Sequence, residues 1–176
     1  FLFIWLFEWS IRRALKKYKI DVFFSPDGYI SLFSKVPQIS VIHDISFEHY
    51  PKDIPFLSSS YLRFFFPRFA KKSNKIITVS NATKEDLIKR YDVSDEKIRV
   101  IWNGVSESYT KLSVEQKTNF LNENTGGIPY FLFVGSIHPR KNVQRLIDSF
   151  SLFISEYPQN FKLIIIGESM WRGNSL

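Results

Sequence analysis

The amino-acid sequence predicts an α/β fold in which parallel strands alternate with amphipathic helices. Short apolar runs recur along the chain, and the stretches between them place their apolar residues at helical spacing, which is typical of parallel sheets. Capping residues stand where several of these stretches begin. Of the 176 residues, 44% are hydrophobic and 17% are aromatic, so the chain has enough apolar material for a buried core.

The predicted strands are short apolar runs. They are Val22 to Ser25, Ile39 to Ile42, Lys75 to Val79, Ile98 to Ile101, Tyr130 to Val134 and Leu163 to Ile166. The predicted helices run from Phe56 to Lys72, from Ala82 to Tyr91 and from Val143 to Tyr157. No internal repeat or low-complexity tract interrupts this alternation.

The three predicted helices differ in how their ends are marked. Pro67 is expected to bend or interrupt the first helix. Ser80 and Asn81 precede the second helix and supply a start signal. Asn142 is a good N-cap for the third helix. That helix is the best supported because seven apolar residues form one stripe along it: Val143, Leu146, Ile147, Phe150, Phe153, Ile154 and Tyr157.

The first residues predict a basic amphipathic helix rather than a membrane span or a signal peptide. The apolar run FLFIWLF ends at Glu8, whereas a spanning helix needs about 20 residues, and no basic region precedes it. Apolar residues continue at helical spacing, and cations occupy another face: Phe7, Ile11, Ala14 and Tyr18 against Arg12, Arg13, Lys16 and Lys17. A helix packed on the sheet with a solvated charged side explains this pattern. A helix lying on a membrane surface stays open as the alternative.

Composition narrows the compartment and the partners. The chain has no cysteine, which excludes disulfides and cysteine-based metal sites or nucleophiles and fits a reducing compartment. The net charge of +7 suggests a nucleic-acid-binding module as one alternative. The aromatic residues, however, lie mostly in buried-looking strands and helices rather than between Lys and Arg. The sequence therefore predicts a cytoplasmic protein without a nucleic-acid partner.

The stretch from Tyr130 to Phe150, YFLFVGSIHPRKNVQRLIDSF, has the order of parts that binds phosphate. A buried strand leads to Gly135, which lets backbone approach a ligand, and then to Arg140 and Lys141, which supply charge. The helix that begins near Asn142 directs N–H groups and a partial positive charge at the same place. Two cations at a helix N-terminus are unfavourable without an anion, so we predict a phosphate site here.

This stretch closely resembles the opening of the C-terminal domain in family-four retaining glycosyltransferases of the GT-B fold. The longest continuous similarity is KIITVSNATKEDLIKRYDVSDEKIRVIWNGV, residues 75–105. The resemblance implies two Rossmann-like domains: 1–108 as the latter part of the N-terminal, acceptor-side domain, 109–128 as the interdomain linker, and 129–176 as the start of the C-terminal, donor-binding domain. One sheet with an insertion is the alternative. Because the chain begins without Met, and the family's Glu-x7-Glu segment would lie downstream, we expect a fragment with both domains incomplete.

The resemblance also implies site residues. In VIHDISFEHYP, His43 and Asp44 follow a strand and match a His-Asp pair whose histidine faces the donor sugar. Both are catalytic candidates, and Asp44 would fix the tautomer of the ring or orient the loop. The residues expected to hold the donor diphosphate are Gly135, Arg140, Lys141 and Asn142. Those expected to line the cleft between the domains are Asn103, Gly104, Gly167 and Trp171.

Several of these residues also have a structural explanation. Asn103 and Gly104 both tolerate positive φ and would form a turn, and Trp171 would serve in packing. Relatives place an arginine where this chain has Ser136 and Ile137, so phosphate binding would depend on the Arg-Lys pair. A metal site at His43, Asp44, Glu48 and His49 is a further interpretation. No later His-Asp group completes its ligand shell, so we predict no metal and no cofactor.

The resemblance implies an enzyme that transfers a sugar from a nucleoside-diphosphate sugar to an acceptor hydroxyl with retention of configuration. The segments HPRKN and HDISF are nearest to mannosyltransferases of surface-polysaccharide synthesis, which implies GDP-mannose as donor and a glycan or lipid-linked acceptor. Such an enzyme would act in the cytoplasm, peripherally on the inner face of the plasma membrane. A truncated fragment that binds a nucleoside diphosphate without turnover is the alternative.

Overall fold

The protein divides into two compact units, Phe1–Gly104 and Val105–Leu176. The structure is a computed structural model that describes residues 6–168. The predictions for positions 1–5 and for Trp171 therefore lie outside the described residues. Within those residues each unit contains one parallel sheet, with four strands in the first unit and two in the second. The predicted α/β class with parallel strands is confirmed.

The sheet of the first unit runs in the order of the chain. Its strands are β1 (Phe23–Ser25), β2 (Gln38–Ile42), β3 (Lys75–Thr78) and β4 (Ile98–Val100). Neighbouring strands pair in parallel, with Phe24 opposite Ile39 and Ile77 opposite both Val41 and Arg99. The carboxyl ends of all four strands therefore meet at one edge of the sheet, where α/β proteins bind ligands.

Helices connect these strands and cover the sheet. A π-helical turn (Leu6–Ile11) continues into α1 (Arg12–Lys17), and α2 (Ser46–His49), α3 (Phe56–Lys72) and α4 (Asn81–Tyr91) follow. The part of the chain that the structure describes also has 3₁₀ turns at Pro51–Asp53 and Asp95–Lys97 in the first unit and at Pro139–Lys141 in the second. The core of the first unit contains these buried side chains: Ile30, Ile42, Ile45, Phe47, Phe66, Phe69, Ala70, Ile76, Leu87, Tyr91, Val93 and Ile98. Within residues 6–168, no helix is both long and apolar enough to cross a bilayer.

Two predictions for the first unit need correction. Helix α3 continues through Pro67, so an interruption of the helix there is wrong, and Phe66, Phe69 and Ala70 on either side of it are buried in the core. In α1 the buried residue is Leu15, whereas Tyr18, predicted on the apolar stripe, is 66% exposed and Ala14 is exposed as well. The N-terminal helical segment is held by its carboxylate as well as its apolar face, because Glu8 accepts hydrogen bonds from Leu32 N (2.6 Å) and Ser31 Oγ (2.8 Å).

The second unit is a β-α-β arrangement preceded by a helix. Helix α5 (Val114–Thr125) leads to β5 (Tyr130–Val134), α6 (Val143–Glu156) and β6 (Lys162–Ile166). The stripe predicted on α6 packs on one face of the sheet, where Phe131 contacts the rings of Phe150 and Phe153. On the opposite face Leu132 and Val134 are 51% and 68% exposed. Within residues 6–168, α6 therefore packs on one face of these two strands.

Helix α5 lies inside the segment predicted as an interdomain linker. A capping box starts it, in which Ser113 Oγ accepts from Gln116 N (3.1 Å) and Gln116 Oε1 accepts from Ser113 N (2.9 Å). Gly126, in the left-handed conformation at φ +68°, ends it. The structure thus gives residues 114–125 a helix that the apolar pattern of the sequence does not predict.

Candidate functional site

His43 is the first residue beyond β2, and its side chain lies against the end of the neighbouring strand. The ring nitrogen Nε2 is 3.1 Å from the carbonyl oxygen of Pro26, the residue that follows β1. This contact arises because β1 and β2 pair in parallel, so both chains leave the sheet at the same edge. The imidazole is nevertheless exposed to solvent.

The backbone of His43 is held from the other side by the start of α4. Thr83 Oγ1 donates to the carbonyl oxygen of His43 at 2.9 Å. Ser80 caps α4 by accepting from Thr83 N at 3.1 Å, and its Oγ lies 2.9 Å from Thr83 Oγ1. Ser80 belongs to the start signal predicted for this helix, whereas the sequence pattern indicates no role for Pro26 or Thr83.

Asp44 shapes the loop that follows His43. Its Oδ1 accepts a hydrogen bond from Ser46 N at 2.8 Å, which is an Asx turn at the first residue of α2. Of the two functions expected for Asp44, this bond supports orientation of the loop. The ring nitrogen Nε2 of His43 contacts the backbone carbonyl oxygen of Pro26.

The side chains of Glu48 and His49, considered above for a metal site, are engaged in a separate polar network. Glu48 accepts from Tyr91 Oη (2.9 Å) and pairs with Arg63 (3.3 Å). His49 Nε2 lies 2.7 Å from Asp86 Oδ2, and Arg90 Nη2 lies 3.2 Å from His49 Nδ1. Burial, followed by the hydrogen bond to Glu48, raises the pKa of Tyr91. Across residues 6–168, no three His, Asp or Glu side chains form a group able to hold a metal ion.

Asn103 and Gly104 follow β4 and are exposed. The predicted positive-φ turn at this pair is wrong, because neither residue has a positive φ. The chain instead turns at residues 107–108, where Tyr109 N donates to the carbonyl oxygen of Ser106 at 3.0 Å. A Cβ placed on Gly104 meets no atom within 4 Å, so backbone crowding does not require glycine there.

In the second unit, two glycines bring the ends of β5 and β6 into unusually close contact. Gly135 follows β5 with φ +155°, a conformation that side-chain-bearing residues rarely adopt, and its N–H donates to Ile166 at 2.9 Å. Gly167 follows β6, and a Cβ there would overlap the carbonyl oxygen of Gly135 and lie 2.7 Å from its carbonyl carbon. The pairing continues one step further, since Ile137 N donates to Glu168 O at 2.9 Å.

The basic pair lies in the 3₁₀ turn Pro139–Lys141 between this glycine contact and α6. Arg140 and Lys141 are exposed. His138, which the sequence analysis passed over, organises the turn: its Nδ1 accepts from Arg140 N at 3.2 Å and its carbonyl oxygen accepts from Lys141 N at 2.8 Å. The signal available in the sequence was a polar residue directly before proline.

Asn142 precedes α6, as predicted, but it does not cap the helix with its side chain. Its backbone is left-handed, at φ 51° and ψ 44°, and no side-chain cap bond forms. The reason is the preceding turn, in which Asn142 N donates to Pro139 O at 3.0 Å and directs the chain into the helix through a left-handed residue. Helix α6 therefore starts at Val143 without a side-chain cap, separated by one residue from the pair Arg140 and Lys141.

Comparison with solved structures identifies the class of fold. The match to a glycosyltransferase from Rickettsia africae covers 90% of this chain and 41% of that protein's chain, with a TM-score of 0.58 and 20% identity. The match to Anabaena HepE in complex with UDP and glucose covers 92% of this chain and 43% of that protein's chain, with a TM-score of 0.67 and 19% identity. The fold is that of glycosyltransferases of the GT-B type, as predicted.

The sequence itself then gives the family. The sequence model of Glycosyltransferase Family 4 matches residues 1–109, and the chain belongs to that family. The O-antigen chain mannosyltransferase RfbU of Salmonella typhimurium is 30% identical over 140 residues, which are 73% of this chain and 36% of that protein. The O-antigen chain mannosyltransferase B of Escherichia coli is 24% identical over 168 residues, which are 93% of this chain and 43% of that protein. The chain thus spans well under half the length of these relatives.

Proposed function

We propose that this chain is part of a retaining glycosyltransferase that transfers a sugar from a nucleoside-diphosphate sugar to an acceptor hydroxyl. The observation that carries the proposal is the arrangement after β5 and β6: two glycine backbones in contact, then an exposed basic turn, then a helix start without a side-chain cap. Family membership supports the transferase class. The complexes of Anabaena HepE with UDP and with UDP-glucose support a nucleotide sugar as the ligand.

The second unit would hold the donor diphosphate. Arg140 offers forked contacts to phosphate oxygens, and Lys141 offers a mobile point charge. The N–H groups at the start of α6 add partial positive charge, and Gly135 lets a ligand approach the backbone. As the sugar departs, the diphosphate gains negative charge, and these groups would stabilise it without a metal ion. The side-chain amide of Asn142 would be a further contact to the same ligand.

The first unit would contribute His43 to the donor sugar. The ring stands at the ligand-binding edge of the sheet, anchored on Pro26, and Asp44 fixes the loop that follows. Asn103 and Gly104 occupy the same edge after β4 and are exposed.

We assign mannose as the sugar and GDP-mannose as the donor because two relatives are O-antigen chain mannosyltransferases. The acceptor would be a glycan or a lipid-linked glycan.

Donor binding tests the proposal on the chain as it stands. We expect GDP-mannose and GDP to bind by calorimetry, and Arg140→Ala combined with Lys141→Ala to weaken both by at least about 100-fold. Each lost charge-assisted hydrogen bond to phosphate costs about 1.5–3 kcal/mol. The matched control is Arg145→Ala with Lys111→Ala, which removes one arginine and one lysine from exposed positions of the same unit.

Equal affinities for the two double variants would refute the diphosphate site. Tighter binding of UDP-glucose than of GDP-mannose would refute the assignment of mannose while leaving the site intact. Binding without sugar transfer to any acceptor would favour the alternative, a non-catalytic fragment that only holds the nucleoside diphosphate.

We further propose peripheral contact with the cytoplasmic face of a membrane through the N-terminal helix. Arg12, Arg13 and Lys16 are exposed along α1, and the nearby Trp9 and Phe33 are 61% and 67% exposed. Beside them, an apolar cavity of about 180 Å³ opens between α3 and the loop before β2. Its lining is mostly aromatic, and it also contains Leu32, the cationic Arg68 and the carboxylate of Glu8. Cations next to exposed aromatic side chains suit an anionic lipid surface.

Sedimentation with vesicles measures this contact. We expect binding to phosphatidylglycerol vesicles, and about 100-fold weaker binding when Arg12, Arg13 and Lys16 are changed to Gln, since each cation near an anionic surface contributes about 1 kcal/mol. Changing Lys71, Lys72 and Lys111 to Gln gives the same net charge and serves as control. Equal binding to phosphatidylcholine vesicles, or an equal loss in the control, would contradict the proposal.

A further inference from the structure

We infer that Thr83 is a positioning residue for His43: its hydroxyl fixes the carbonyl group of His43 and so keeps the imidazole Nε2–H on the carbonyl oxygen of Pro26. The inference rests on the role proposed for His43 and specifies how that side chain is presented. It is carried by two hydrogen bonds that reach His43 from opposite sides, at 3.1 Å on the ring and 2.9 Å on the backbone.

The bond to the ring determines the tautomer. A backbone carbonyl oxygen only accepts, so His43 Nε2 must donate and carries the hydrogen. A neutral imidazole has one N–H group, so Nδ1 then holds a lone pair. In this tautomer of the neutral ring, Nδ1 of His43 is a hydrogen-bond acceptor for a ligand. The matching group is a sugar hydroxyl, which can donate, rather than a phosphate oxygen, which cannot.

The bond to the backbone belongs to a directed chain of hydroxyl groups. Thr83 has a single hydroxyl hydrogen, and the carbonyl oxygen of His43 takes it. The contact between Ser80 and Thr83 must therefore run from the serine hydroxyl to Thr83 Oγ1, while Ser80 Oγ accepts Thr83 N–H in return. Each group has one definite direction of donation, which leaves the position of the His43 carbonyl little freedom.

This use of Thr83 is separate from starting the helix. The N-cap bond of α4 is made by Ser80 through the backbone N–H of Thr83, and it does not require the threonine hydroxyl. Thr83 is 6% exposed, and its hydroxyl reaches across to a residue 40 positions earlier. Removing that hydroxyl leaves the cap intact but takes away the partner of the His43 carbonyl. The backbone could then rotate and release the ring from Pro26.

The chain contains three histidines, so the signals of the individual rings can be told apart. In a ¹⁵N-labelled chain at neutral pH, long-range ¹H–¹⁵N spectra report the tautomer of each ring. We expect His43 to show the Nε2–H form in the wild type and in Thr83→Ser, and a mixture of both tautomers in Thr83→Val. His49 is the internal reference for α4, because its ring contacts Asp86 and Arg90 on that helix, and His138 reports on the second unit.

Two results would overturn the inference. One is an unchanged His43 spectrum in Thr83→Val. The other is a change in Thr83→Val that extends equally to His49, which would indicate displacement of the whole helix. Titration with GDP-mannose separates the inference from the proposed function. If His43 of the wild type does not respond to the donor, its proposed role fails. If it responds but Thr83→Val binds as tightly as the wild type, rather than about five-fold more weakly, the positioning role fails.

Discussion

At the residue scale, the contact between Gly135 and Gly167 places the strictest demand on side-chain size in the proposed donor site. At Gly167 a Cβ would overlap the carbonyl group of Gly135. At Gly135 the positive φ disfavours any residue with a side chain. Both restrictions act at the two strand ends nearest the basic turn. The close approach brings the ends of β5 and β6 together without a side chain at either glycine, which suits the proposed donor site.

Gly167→Ala should lower the free energy of unfolding by about 1–3 kcal/mol, because the added methyl group must push apart the ends of β5 and β6. Urea unfolding measures the change. Gly104→Ala is the matched control, since a Cβ there meets no atom and φ is not positive. It should change the unfolding free energy by less than about 0.5 kcal/mol. Equal stability of the two variants would show that the strand ends do not approach this closely.

Half-buried tyrosines give the first unit a characteristic response to alkali. Burial raises the pKa of Tyr61 from 10.0 to about 12, with smaller contributions from Tyr29 and Glu8. Burial raises the pKa of Tyr29 as well, aided by the charge of Asp27. Above pH 10 the unfolded chain loses these phenol protons first. It then binds fewer protons than the folded chain, so the free energy of unfolding decreases as pH rises.

We therefore expect the stability contributed by Tyr61 to be fully present below pH 10 and to be lost as pH rises from 10 towards 12. Urea unfolding across this range should show a shallower decline for Tyr61→Phe than for the wild type. Tyr109→Phe, at a position 81% exposed, should retain the full decline. The explanation is wrong if Tyr61→Phe declines as steeply as the wild type.

At the scale of elements, α5 and α6 show which helix starts a sequence reveals. The apolar stripe of α6 was sufficient to predict that helix. Helix α5 is instead marked by its end residues, since Ser113 and Gln116 cap its start and Gly126 ends it. The start of α6 at Val143 followed from periodicity. The conformation of Asn142 did not, because it depends on the 3₁₀ turn that His138 organises. Periodicity therefore locates helices, and the local turn decides how each one begins.

Ser113→Ala should destabilise α5 by about 1 kcal/mol, since it removes the side chain that accepts from Gln116 N. Amide exchange of Gln116 and its neighbours in the first turn should accelerate about five-fold. Lys117→Ala changes an exposed residue of the same helix without touching either cap and should leave exchange nearly unchanged. Equal protection in the two variants would contradict a capping role for Ser113.

At the scale of the whole molecule, the strands and the family could be predicted from the sequence, but the surroundings of the site residues could not. All six strands lie within a residue or two of their predicted positions, because short apolar runs of that length are typical of buried strands. His43 was found through its place after a strand. Its partners Pro26 and Thr83 lie 17 and 40 residues away, and only the parallel pairing of β1, β2 and β3 brings them together.

The small sheet of the second unit has a consequence for handling the protein. Within the described residues it consists of β5 and β6 alone, so each strand has one side that no other strand pairs with. The sequence YFLFV of β5 contains no charge and no proline, and one of its faces is exposed. Such an edge is a template for pairing between molecules. Concentrated preparations of this chain should therefore be prone to self-association through β5, and a lysine at the exposed Leu132 is the substitution most suited to keeping them monomeric.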